Sequence, residues 1–181
     1  MAFKTMSSSR LRYDPRAVAN LILEMFMHYH ADSPIDKTKL QSLLFLVNAR
    51  HLTLYKGHSP LKGSFEATPQ GPIQPSVAKS FSNTIGHIYT YRARGISLAT
   101  GAQYDLDLPS DEKLNDVIRQ VLCHAGALSQ KHLQAMICAE GGPWHYTICK
   151  IIKREVVTTH IRDDVIEKLC SKMIISLIAD E

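Results

Sequence analysis

Apolar residues return at three- and four-residue intervals through most of this chain, the spacing of helices that bury one face. The densest block, Ile35 to Tyr55, is apolar nearly all round. Leu40, Leu43, Leu44, Val47 and Leu54 keep helical spacing, and Phe45, Leu46 and Leu52 fill the flanks. A helix apolar on most faces is buried on most faces, so this one is expected at the centre of the fold. Asp36 is placed to cap its start, and Gly57 to supply the left-handed residue that ends it. Lys39, Gln41, Asn48 and His51 are polar residues on that helix and pose the question of why they sit there.

The remaining blocks are plainer. Asp14-Pro15 gives a cap and a proline at the first helical position, and Val18, Leu21, Ile22, Met25, Phe26 and Tyr29 form the stripe that follows. Pro75 or Ser76 opens a short helix through Val77 and Phe81. Ser110 is expected to cap a helix carrying Leu114, Val117, Ile118, Val121 and Leu122, and Ser129 one carrying Leu133, Met136 and Ile137. Gly141-Gly142-Pro143 starts the next, with Trp144, Ile148, Ile151 and Ile152 facing inward. The last runs from Val165 and Ile166 through Leu169, Cys170, Met173, Ile174 and Leu177 to Ile178. Extended structure is expected at Ser64–Thr68 and Val156–Thr159, and strand or hairpin near 87–98, where Ile88-Tyr89-Thr90-Tyr91-Arg92 has strand composition. The sum is a mainly α fold of about seven helices around a central buried helix. Residues 1–12 read as a flexible tail and 13–181 as one compact domain.

Composition fits this picture: 45% hydrophobic and 21% charged residues make a globular chain, long enough at 181 residues for one well-buried core. A net charge of +4 suits acidic partners but falls short of a nucleic-acid-binding signature. Four cysteines, Cys123, Cys138, Cys149 and Cys170, fall inside expected helices with no CxxC pair and read as reduced thiols. The start, with Ser7-Ser8-Ser9, lacks a signal peptide's apolar core, and no run approaches the roughly 20 apolar residues of a membrane span. A cytoplasmic protein without membrane contact is expected.

Chemistry is sparse. Cys123, His124, His132, Cys138, His145 and Cys149 match no compact zinc spacing, and no nucleophile elbow, HExxH or glycine-rich phosphate loop occurs. The expectation is no enzyme, no metal and no cofactor. Tyr89-Thr90-Tyr91-Arg92-Ala93-Arg94 interleaves aromatics with arginines, a pattern open to three readings: a strand with solvated arginines, a base-stacking surface, or a protein-interface hot spot. Lys39, Gln41 and Glu140 are expected to share a partly buried polar network.

Several motifs occur in order: Lys39-Leu40-Gln41-x-Leu43-Leu44-Phe45, His51-Leu52 through Tyr55, Gly71-Pro72-Ile73-x-Pro75-Ser76-Val77, Leu128-Ser129, and Glu140-Gly141-Gly142-Pro143-Trp144. The ordered set, spanning about residues 14–172, resembles the Panacea or SocA-like family. It departs from that pattern at Ser42, Phe45, Thr68, Gln70 and Cys138. The resemblance implies a helical antitoxin that neutralises a protein toxin by direct binding, and in one branch an adaptor that presents the toxin to a ClpXP-type protease. Lys39, Gln41, Gly71, Pro72, Glu140 and Trp144 are then the family-motif residues. The candidate partner contacts are Gln70, Gln74, Tyr89, Tyr91, Arg92, Arg94 and Trp144. The alternatives are a nucleic-acid-binding regulator of its own operon and a phage or pathogen effector that binds a host protein.

Overall fold

The structure, a computed structural model, describes residues 11–178 and the side chains of residues 11–170. Seven helices appear in that span: α1 Pro15–Tyr29, α2 Lys37–Leu54, α3 Pro75–Ser80, α4 Glu112–Ala125, α5 Gln130–Ile137, α6 Pro143–Ile152 and α7 Asp163–Ile178. Five short strands join them: β1 Phe65–Thr68, β2 Gly71–Ile73, β3 Arg94–Ile96, β4 Gln103–Asp105 and β5 His160–Ile161. β1 lies between β2 and β5, antiparallel to both, while β3 and β4 form a separate antiparallel hairpin. The expected helical fold is present, with two small sheets added.

α2 is the hub. It packs against α1, α3, α4, α5, α7 and β2, and Leu40, Leu43, Leu44, Phe45, Val47, Ala49 and Leu52 have no exposed surface. A stripe on one side could not satisfy so many neighbours, which is why the segment is apolar all round. Asp36 caps it by accepting from the Lys39 amide at 2.7 Å. At the other end Lys56 and Gly57 take left-handed φ values of 50° and 76°, and the Gly57 amide donates back to the Leu52 carbonyl at 3.0 Å. α1 begins as its sequence indicates, with Asp14 accepting from the Arg16 amide and Pro15 next in line. Gln74 caps α3 and Ser129 caps α5.

Several expectations are corrected. α4 is capped by Asp111, not Ser110: its carboxylate reaches the amides of both Lys113 and Leu114. Residues 88–92 form a turn, not a strand, because the Ile88 amide bonds the Ile35 carbonyl and the Tyr89 and Tyr91 hydroxyls bond Ser33 and Ser80. The hairpin lies further on, across 94–105. Of the extended run expected at 156–159, only the Thr159 carbonyl joins the sheet, accepting from Ala67, and β5 itself follows at His160. Cys138 caps α5 from outside it. Tyr29, Leu54 and Ile152 leave their stripes for solvent, each standing on the last residue of its helix, where the packed face runs out. Residues 1–10 of the expected tail, and the side chains of Met173, Ile174, Leu177 and Ile178, lie outside what is described. Arg12 approaches Asp163 at 4.0 Å and Tyr13 bridges to Leu61. Among the described residues no helix is long and apolar enough to cross a membrane.

Candidate functional site

The polar residues of α2 answer the question the sequence poses. Gln41 acts as a surrogate strand: its Oε1 accepts from the Gln74 amide at 2.9 Å and its Nε2 donates to the Gln74 carbonyl at 3.2 Å. Asn48 Oδ1 accepts from the Ser59 hydroxyl at 2.8 Å, and His51 Nδ1 meets the His58 carbonyl at 2.6 Å, so Nδ1 carries the proton. These contacts tie both ends of the 58–74 segment to the core, and without them the Gln74 amide and the His58 carbonyl would lose their partners. Burial pushes the His51 imidazole below its ordinary value, against an opposing pull from the His58 carbonyl. A depressed folded value means stability is complete above about pH 6.5 and is lost as pH falls through the lowered value. The melting temperature should therefore drop between about pH 7 and pH 5, and His51→Asn should flatten that profile when both proteins are melted across the range.

Four of the six motif residues, Gln41, Gly71, Pro72 and Trp144, gather around the β1–β2 hairpin. Trp144, at the start of α6, donates its indole N–H to the Thr68 carbonyl at 2.8 Å, and Gln134 on α5 donates to the Gln70 carbonyl at 3.0 Å. Gly71 sits at φ 117°, a backbone conformation that favours glycine, and a Cβ there would lie 3.3 Å from the Cys138 sulfur, a tight approach. Gly71, Pro72, Trp144 and Gln41 are thus parts of one clamp joining α2, the β1–β2 turn and the α5–α6 junction. Glu140 is not in it: the residue is exposed and makes no bond to Lys39 or Gln41, which corrects the expected network. Gln74, expected at the surface, is buried at 4% exposure because its side chain caps α3 while its backbone holds Gln41.

Lys39 also stays out of the clamp. It is 4% exposed, its ammonium stands 5.0 Å from the centroid of the Phe26 ring, and burial lowers its pKa against a partial pull from Asp36. A buried amine with so little compensation works against the fold at neutral pH. Lys39→Met should leave the melting temperature unchanged or raise it. A loss beyond about 1 kcal/mol, the scale of the cation–ring contact, would show the charge to be needed.

A second feature lies along α3. A groove of about 1030 Å³ opens between α1, α3 and the β3–β4 hairpin. Its floor is fixed: the Asn20 amide donates to the Ala93 carbonyl at 2.9 Å and accepts from the Ala93 amide at 2.8 Å, a fully buried pair. Tyr91 rests on Phe81 with ring centroids 5.0 Å apart and donates its hydroxyl to the Ser80 carbonyl. Arg16, Lys79, Arg92 and Arg94 line it, with Glu24 and Asp105 as acids. Arg16 is held by Asp14 at 2.7 Å and Arg94 by Asp105 at 3.1 Å. Burial would raise the Asp14 carboxyl, but hydrogen bonds from Arg16 bring it below the usual range. Of the expected contact residues, Tyr91, Arg92 and Arg94 meet here. Tyr89 turns away to Ser33, while Gln70 and Trp144 belong to the clamp. Lys79 and Asn20 were not anticipated. A basic residue on the short helix before the Tyr-Arg run, and an asparagine inside the apolar face of α1, were the signals available.

Reactive groups are few. Burial raises the Cys138 thiol and pushes the Cys170 thiol up to about 12, so neither forms a thiolate near neutrality. Cys149 lies 3.6 Å from His145 Nε2. Among the described residues no three His, Cys, Asp or Glu side chains gather as a metal site.

Over 131 residues, covering 72% of this chain and 68% of its relative, the sequence is 35% identical to a protein of Caulobacter vibrioides (strain NA1000 / CB15N) called Antitoxin SocA. The chain belongs to the SocA antitoxin family. No family model matches it, so the Panacea likeness rests on the motif set alone, and no solved structure matches it. In this SocA-family chain the clamp consists of residues that hold the scaffold, and the groove presents the mixed charged and aromatic surface.

Proposed function

We propose that this chain is an antitoxin that neutralises a protein toxin by binding it directly. The observation that carries the reading is the 35% identity to Antitoxin SocA over 131 residues. The geometry agrees with a binding role: Gln41, Gly71, Pro72 and Trp144 serve the scaffold, two of the four thiols are held protonated, and the residues around the groove include tyrosine and arginine, which are enriched in binding hot spots. Neutralisation is by occupancy, the antitoxin covering the surface its toxin needs. Delivery of the bound toxin to a ClpXP-type protease extends the same reading by a second step.

The test is co-expression with the product of the small reading frame beside this chain's own. Growth arrest by that product should be relieved when the chain is co-expressed, and the two proteins should purify together. Arrest that persists in the presence of soluble chain overturns the reading. A pulse-chase of the toxin separates the two steps: an unchanged half-life leaves occupancy alone, and a shortened one adds delivery.

A further inference from the structure

We infer that the groove between α1, α3 and the β3–β4 hairpin seats an extended acidic segment of the toxin, with Lys79 and Arg92 as cationic anchors and Tyr91 as the apolar platform. This rests on the antitoxin reading and adds the chemistry of what is held.

The charges favour it. Four cations face two acids in the groove lining, and the pairing is uneven. Arg16 and Arg94 already have carboxylates in Asp14 and Asp105. Lys79 is exposed on α3 with no acid beside it among the described residues. Arg92 donates one nitrogen to the carbonyls of Tyr89 and Tyr91, at 2.9 and 2.8 Å, which fixes the guanidinium while its other donors stay uncommitted. A planar fork already held in place loses little freedom when it takes a carboxylate.

The apolar surface is adjacent. Tyr91 is 41% exposed although its ring and hydroxyl are both fixed, and Ile96 at 60% stands on the rim of the same groove. The β3–β4 sheet has only two strands and carries no third among the described residues, the arrangement to which an extended segment adds. Acidic and apolar positions alternating along a strand match this lining. A nucleic-acid backbone, charged at every nucleotide, offers no apolar position to set against Ile96.

The experiment titrates the toxin recovered from co-expression against the intact chain and three variants, by calorimetry. Lys79→Glu reverses the free cation and Ile96→Asp places a charge on the apolar rim, and neither residue makes a side-chain hydrogen bond that folding needs. Each is expected to weaken binding about tenfold or more, with an unchanged melting temperature. Lys131→Glu, on the exposed side of α5 outside the groove, is expected to bind within about twofold of the intact chain. Added salt should weaken the intact chain more than Lys79→Glu. If the intact chain binds and rescues growth while both groove variants bind equally well, the groove is not the seat and the antitoxin reading stands. If the intact chain neither binds nor rescues, both fall. Variants that keep the toxin but lose affinity for a DNA duplex give the groove to nucleic acid and overturn the inference.

Discussion

Phe45→Ala is expected to lower stability by about 3–5 kcal/mol, the range for deleting a buried phenylalanine. Phe45 has no exposed surface and sits midway along α2, a helix enclosed by α1, α3, α4, α5 and α7. With neighbours on all sides the cavity has little freedom to collapse, which places the loss toward the upper end. The ring also meets Phe65 edge-on, with centroids 5.2 Å apart and planes at 87°. Phe65 opens β1, so the pair fastens the three-stranded sheet to the hub. Thermal melts should show a fall on the order of 10 °C, and a double-mutant cycle with Phe65→Ala should return a coupling of about 0.5–1.5 kcal/mol. Additive losses would mean that the rings touch without depending on one another.

The second large effect is expected at Gln41. Gln41→Ala removes the acceptor of the Gln74 amide, and nothing else in the structure replaces it, whereas the Gln74 carbonyl keeps its helical donor in Ala78. The orphaned amide and the lost side-chain volume together cost about 2–4 kcal/mol. Gln41→Leu refills the volume but leaves the amide unsatisfied, so it should recover only part of the loss. Gln41→Glu keeps the acceptor, sacrifices the donor and buries a charge, so its melting temperature should rise as pH is lowered toward the carboxyl range. An alanine variant as stable as the parent would show that a water takes the place of the side chain. Amide exchange at Gln74 and Val77 gives the local reading, since both should lose protection ahead of α2.

The helices were legible because burial on one face leaves a period in the sequence. α1, α2 and α5 start at the caps read for them, α3 opens at Pro75 but on a Gln74 cap that was not read, and α2 is central because its apolar positions have no polar gap wide enough to face water. The hairpin was misplaced because Ile88 to Arg92 has the composition of a strand, yet its tyrosines are committed to the Ser33 carbonyl in the α1–α2 loop and the Ser80 carbonyl at the end of α3. Composition does not report such commitments. Asp111 displaced Ser110 for a similar reason, two adjacent capping residues differing only in where the preceding loop delivers them. The site was half legible. Tyr91, Arg92 and Arg94 form a local run and stay together, whereas the partners of Gln41 and Trp144 are main-chain atoms of distant residues, which no side-chain motif names. Glu140 stands next to residues of the clamp in the chain and outside it in space.

Asn20 holds the Ala93 peptide from both sides, and beyond that point the β3–β4 hairpin packs chiefly on itself, Tyr104 lying across Gly95. The wall of the groove is therefore an appendage tied to α1 at two places, by Asn20 at Ala93 and by Arg16, which donates to the Arg94 carbonyl at 3.2 Å, while the hub and the clamp are sealed elsewhere. Within that wall, residues 97–102 can change in sequence as long as these ties and the close approach of Tyr104 to Gly95 persist. Lys79, Tyr91 and Arg92 lie outside that segment, so changes within it reshape the wall of the groove and leave its cations and its aromatic floor in place.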